Sequence, residues 1–256
     1  MKRIRTLFGV LGLLLLIGGS QSSFAETVKL DIGEWAPFTS ENDQNGKIAE
    51  VLVKEAFKLE GYQVELNYYP WKRSYERVKL GQSDGTFPWF INSDRGDTQF
   101  FIISRESVIR DKEVFFYRKD RPFNWTTFED LKKYSIGGVI GYSHISQLKR
   151  HGIQLETVAN ENQNYRKLMA GRLDAAPGSV VVGYQMIRSM FPKSQWDLIT
   201  HHDKPLREAD MFIFFSRQSP RSQELEAVFS NGMKKLKDSG RYSTILDQFL
   251  LAGSSE

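Results

Sequence analysis

The chain has 256 residues, 40% of them apolar, 26% charged and 13% aromatic, and no cysteine. That composition excludes a disulfide-stapled mini-protein, a collagen-like chain and a disordered tail, and it removes thiolate metal sites and cysteine nucleophiles. The formal charge of +4 includes Lys2, Arg3 and Arg5, and residues 1–25 hold no acid, so the remainder carries only +1; a globally basic, nucleic-acid-binding body is not supported and no nucleic-acid partner is expected.

Met1–Arg5 is a basic opening segment, and Leu7–Ile17 is apolar apart from Gly9 and Gly12. Ser23-Phe24-Ala25 then places small residues three and one positions ahead of Glu26. This is the layout of a cleaved secretory signal peptide over residues 1–25. Its apolar core is shorter than the roughly 20 residues a membrane-spanning helix needs. A mature, exported, periplasmic chain from about Glu26 is expected.

Val28–Gly33 alternates apolar and polar residues and reads as a strand. Asn45-Gly46 is a turn signal, and Lys47–Glu60 has helical spacing, with Gly61 placed to end the helix. Tyr62–Tyr69 reads as a second strand, and Pro70 suits the start of a helix over Trp71–Leu80. Thr86–Phe90 and Val114–Tyr117 are further strands. Around Lys119–Trp125 the apolar periodicity lapses, and Pro122 marks the crossing into a second unit.

Thr127-Phe128-Glu129-Asp130 has capping-box spacing. Strands are expected at Ser135–Ile140, Gln154–Val158 and Leu173–Ala176, and helices after Gly141, at Asn162–Gly171 and at Val180–Met190. Asp210–Ser216 reads as a buried strand. A long helix follows, with Pro220 in its first turn and Leu225, Val228, Phe229, Met233 and Leu236 on one face; a last helix covers Tyr242–Leu250. The alternation predicts an α/β fold with a largely parallel sheet.

Enzyme signatures are weak. Gly141-Tyr142-Ser143-His144-Ile145 lacks the closing glycine of a nucleophile elbow, and Ile136 stands where a dinucleotide fingerprint needs glycine. His144, His151, His201 and His202 lack zinc-site spacing. No catalytic residue, metal or cofactor is expected. The positive signal is aromatic and basic residues at three successive strand ends: Trp35 and Phe38; Trp71 with Lys72 and Arg73; Trp89 and Phe90 before Asn92 and Arg95. Ligands of open α/β sheets bind outside the carboxyl ends of strands. Flat rings there can stack on a solute, and a guanidinium can fork onto an anion.

With these segments in this order, the chain resembles bacterial extracellular solute-binding proteins of family 3, the periplasmic receptors of amino-acid-type ABC transporters. The resemblance runs from Ile32-Gly33-Glu34-Trp35-Ala36-Pro37-Phe38 through Pro70-Trp71-Lys72-Arg73 and Asp84–Trp89 to Arg95. It continues through Glu113–Tyr117, Ile136–Ser143 and Met169–Ala175. It implies a two-lobe, type II periplasmic-binding-protein fold with mixed sheets flanked by helices. Lobe 1 would comprise 26–117 and 210–256, and lobe 2 118–209, hinged near Tyr117–Arg121 and Arg207–Asp210. It implies a monomer that captures a small polar, anionic or amino-acid-like solute and delivers it to an inner-membrane ABC permease.

By the same resemblance, Arg95 would clamp a ligand carboxylate, with Asn92 in place of the motif's threonine. Trp35, Phe38, Trp71, Arg73, Trp89 and Phe90 would line lobe 1, and Tyr142, Ser143 and Ser179 would close from lobe 2. Where the family places an acid for a ligand ammonium, this chain reads Pro177-Gly178-Ser179. Unless Glu34 or Asp210 substitutes, an anionic or aromatic solute stands beside an α-amino acid. A sensory module docking on a membrane receptor, and a dehydratase-like enzyme with Glu34, Glu113 or Asp210 as its acid, are the competing readings on the same scaffold.

Overall fold

The structure, a computed structural model, describes residues 26–42 and 47–252; the expected signal peptide and the Asn45-Gly46 turn lie outside the described residues. In chain order the elements are β1 (Glu26–Ile32), α1 (Ile48–Leu59), β2 (Tyr62–Tyr68), α2 (Trp71–Lys79), β3 (Gly85–Trp89), α3 (Asp97–Phe100), β4 (Phe101–Ile103) and β5 (Ile109–Arg118). There follow β6 (Ile136–Val139), α4 (His144–Arg150), β7 (Leu155–Val158), α5 (Glu161–Met169), β8 (Ala175–Ser179), α6 (Val180–Met190), β9 (Ile199–His201), β10 (Arg207–Ser216), α7 (Ser222–Asp238) and α8 (Arg241–Ala252).

The strands run in the order β2-β1-β3-β10-β5-β8-β6-β7, with β4 added on β10 and β9 on β5. Each wing is parallel, β2-β1-β3 on one side and β8-β6-β7 on the other. The expectation of a largely parallel sheet is corrected at the centre, where every pairing of β5 and β10 is antiparallel. The reason is length. β5 and β10 are ten residues each, about 33 Å at strand rise, so each reaches from one wing into the other.

Their shared stretch pairs Ile109–Glu113 with Arg207–Met211. Beyond it, Phe212–Phe215 pairs with β3, while Glu113–Tyr117 pairs with β8. The change of wing therefore falls at Asp111–Glu113, earlier than the change of composition after 118. Phe115 already packs in the second wing with Phe123 and Trp125, and Phe116 with Tyr165 and Leu168.

The first wing is closed by the C-terminal helices. α7 presents Leu225, Phe229, Met233 and Leu236, all buried, to the core that holds Leu52, Ala56 and Phe57 of α1. Pro220 precedes α7 rather than opening it, because Ser222, whose hydroxyl bonds the Ser216 carbonyl, is its first residue. Gly232 sits where α7 meets α1 so closely that a Cβ would lie 1.9 Å from the Ala56 carbonyl oxygen. The neighbour is backbone and cannot rotate aside. Gly232→Ala is expected to cost about 1–3 kcal/mol through overpacking, measurable as a lower urea midpoint with unchanged slope.

Candidate functional site

A crevice of about 470 Å³, its open mouth included, lies where the two wings meet over the exchanged strands. From the first wing it takes Trp35, which follows β1, Trp71 at the start of α2, and Trp89 and Phe90 at the end of β3. From the second it takes Tyr142 and Ser143, before α4, and Ser179 at the end of β8. Its floor is Asp111 and Glu113 of β5 and Met211 of β10.

The aromatic wall is continuous. Trp89 and Trp71 meet edge to face with ring centroids 5.1 Å apart, Trp71 and Trp35 at 6.3 Å, and Trp35 and Tyr142, across the wings, at 6.4 Å. Such contacts are attractive beyond the area they bury. Trp89 Nε1 donates to Thr86 Oγ1 (2.9 Å) and Trp71 Nε1 to the Glu34 carbonyl (3.2 Å), which fixes both rings.

Polar bonds tie the wings together beside the crevice. Trp35 Nε1 donates to Glu161 Oε2 at 3.2 Å, and the Tyr142 hydroxyl donates to the same oxygen at 3.2 Å. Asn92 Nδ2 donates to the Ser143 carbonyl and to Ser146 Oγ, both at 2.7 Å. Gly141 has φ +93°, and a Cβ there would meet the Lys72 backbone at 3.2 Å, so backbone approaches backbone across the gap. On the other side of Trp71 and Tyr142 opens a wider groove of about 1230 Å³, mouth included, which takes in Glu34 and Lys72.

Of the residues singled out from sequence, Trp35, Trp71, Trp89, Phe90, Tyr142, Ser143 and Ser179 line the crevice. Phe38 is 4.8 Å from Trp35, centroid to centroid, and buttresses it from the core. Asn92 is a cross-wing tie. Arg73 is exposed and lies over the Tyr69 ring, away from the crevice; on an N-terminal helical turn, neighbouring positions face different ways, and Trp71 takes the inward one.

Arg95 is engaged within its own wing. Its Nε and Nη2 donate to the Asp97 carboxylate at 2.8 and 2.6 Å, and Nη2 also donates to the Phe90 carbonyl at 3.1 Å. The guanidinium lies over the Tyr75 and Trp89 rings. The cation expected to clamp a ligand anion is thus engaged by an internal carboxylate, behind the Trp89 wall.

The acids of the site went unassigned to ligand binding in the sequence. Asp111 Oδ1 accepts from Ser179 Oγ at 2.8 Å, and burial pushes this carboxyl up to about 6. Glu113 Oε1 accepts from His144 Nδ1 at 2.7 Å, while His144 Nε2 accepts from the Val139 N–H at 3.4 Å, which fixes the ring's tautomer. Burial alone would raise the Glu113 carboxyl, but His144 and the positive charge of Arg207 outweigh it and hold it below its ordinary range. Burial pushes Glu161 up to about 7, against the hydrogen bonds from Trp35 and Tyr142. Arg207 itself donates to Ser143 Oγ (2.9 Å) and Gln147 Oε1 (2.8 Å) and lies over Phe90.

No protein-family model matches this chain, and no curated protein does. Solved structures do. A histidine kinase sensor domain with similarity to periplasmic binding proteins superposes with a TM-score of 0.76 at 20% identity, covering 88% of this chain and 96% of its own. An amino acid ABC transporter substrate-binding protein, AbpA from Streptococcus pneumoniae bound to L-arginine, gives 0.71 at 16% identity over 90% and 97%. The ancestral amino acid-binding protein AncCDT-1, a precursor of cyclohexadienyl dehydratase, gives 0.69 at 18% over 87% and 95%. The chain has the two-lobe, type II periplasmic-binding-protein fold, with mixed strands flanked by helices, in keeping with its resemblance to family 3 solute-binding proteins.

Proposed function

We propose that this chain is an exported solute-binding protein that holds a small polar solute between two lobes and presents it to an ABC importer in the inner membrane. Its lobes would follow the two stretches expected from sequence, 26–117 with 210–256 and 118–209, except that 114–117 packs with the second, which puts the hinge at Asp111–Glu113 and the facing Arg207–Met211. The observation that carries the reading is the crevice itself, whose wall is contributed by both wings. A solute that touches both lobes has an affinity for the closed arrangement that it lacks for the open one, and only such a difference shifts the population between them. AbpA, an amino acid ABC transporter substrate-binding protein bound to L-arginine, shares the fold.

A ligand-sensing role on a membrane receptor has its own support in the sensor-domain neighbour. It uses the same crevice and differs only in what docks on the closed lobes. Restored solute uptake on co-expression with a permease separates the two. An enzyme on this scaffold would rest on Glu113, since Asp210 pairs with Arg110 at the surface and Glu34 opens onto the outer groove.

The test is a thermal-shift screen of small solutes on the mature chain, repeated on Trp71→Ala. A binder stabilises by mass action, so a weak ligand registers at high concentration. Trp71 touches Trp35 and Trp89 and stands in the mouth of the crevice, so its loss is expected to weaken binding about tenfold or more. Equal affinity in the variant contradicts this site.

A further inference from the structure

Resting on that reading of the crevice as a solute site, we propose that its guest carries a compact organic cation, a protonated amine, guanidinium or quaternary ammonium, with Asp111 and Glu113 as its counter-charges. Both side chains are 5% exposed, both line the crevice, and they stand two residues apart on β5. Each uses one oxygen internally, Asp111 on Ser179 and Glu113 on His144. The second oxygen of each, Asp111 Oδ2 and Glu113 Oε2, is buried without a hydrogen-bond partner among the described residues. Two unmet acceptors on buried carboxylates are costly unless something donates to them.

Arg207, in register with Glu113 across the β5–β10 pair, adds positive charge from outside the lining. Among the described residues, no Lys, Arg or His lines the crevice. Of the guanidinium groups beside it, Arg95 is held by Asp97, and Arg207 donates to Ser143 and Gln147. The same lining holds the rings of Trp35, Trp71 and Trp89, and aromatic rings favour a cation as neighbour. A carboxylate placed here would meet two acids with no cation in the lining among the described residues. The anionic solute considered from sequence is therefore disfavoured at this point, and an amino-acid-like guest would enter with its positive end toward β5. The acid absent from the Pro177–Ser179 segment is replaced from the exchanged strand, while Ser179 turns to orient Asp111.

The experiment is titration calorimetry and thermal shift on the mature chain with tetramethylammonium, benzylammonium and L-arginine as cation-bearing probes and with benzoate and L-glutamate as anion-bearing ones, at millimolar concentration. At least one cation is expected to stabilise the protein and the two anions to leave it unchanged. Asp111→Asn, which mimics the neutral carboxyl and retains the Ser179 bond, is expected to keep or raise the melting temperature without ligand while weakening the cation at least tenfold. Stabilisation by the anions with none by the cations overturns the charge assignment but leaves the clamp standing. Cation binding unchanged in Asp111→Asn and also in Glu113→Gln overturns the role of these acids. No response to any probe, together with none to the wider solute screen, overturns the clamp reading itself.

Discussion

Asp97→Asn is expected to lower stability by about 3–5 kcal/mol, the largest loss from any single substitution considered for this protein. Asp97 is fully buried, and four donors converge on it: Arg95 Nε and Nη2, the Tyr75 hydroxyl at 2.8 Å and the Asn92 N–H at 2.7 Å. Arg95 keeps only 17% of its side-chain surface exposed, and its Nη1 is already buried without a partner. Neutralising Asp97 leaves that guanidinium buried among rings with no counter-charge, which is why breaking a buried pair costs far more than the pair contributes when intact. Urea denaturation measures the loss. If instead Asp97→Asn folds as stably as the parent and gains affinity for benzoate, Arg95 is a ligand clamp held in check by Asp97.

The second large effect is a fall in stability with rising pH, traced to Glu161. Its folded-state value of about 7 lies above the ordinary 4.5 because the carboxyl is buried. Between those values the folded chain holds a proton that the unfolded chain releases, so stability decreases as pH rises through the window and levels off above it. A shift of this size corresponds to about 3 kcal/mol. Asp111, raised to about 6, acts in the same direction over a narrower range. Carboxyls held below their ordinary values, Glu113 and Glu226 among them, act oppositely but titrate at lower pH. Glu161→Gln keeps an acceptor for Trp35 and Tyr142 and removes the charge. It is expected to match the parent near pH 5, exceed it near pH 8, and show a flatter profile between. Thermal melts across that range decide it; a parent protein that gains stability from pH 5 to 8 contradicts the assignment.

Much of this was legible in the residues. Helix-period and strand-period segments located every long helix, and the aromatic clusters at strand ends marked the wall, because a ring at the carboxyl end of an inner strand has the crevice as its nearest space. Arg95 misled for a local reason. A carboxylate two residues on, across a tight turn and Gly96, folds back onto the guanidinium, and a linear pattern does not show that the two side chains meet. Asp111 and Glu113 were hidden by β5 itself, where Arg110 and Lys112 alternate with them, so both faces are charged and the pattern does not say which is inward. β4 and β9, three residues each, are too short for any period to register. The change of wing at Asp111–Glu113 is not marked in the residues, because Val114–Phe116 is apolar on both faces, which fits the end of one core and the start of another equally well.

The most direct measurement is a co-crystal structure of residues 26–256 with the tightest-binding cation of the panel. The nitrogen should sit against the indole faces of Trp35, Trp71 and Trp89, within hydrogen-bond or contact distance of Asp111 Oδ2 and Glu113 Oε2, with Asp97 still closed on Arg95. A guest whose carboxylate rests on a freed Arg95, or one lodged outside the space between the wings, would contradict the account.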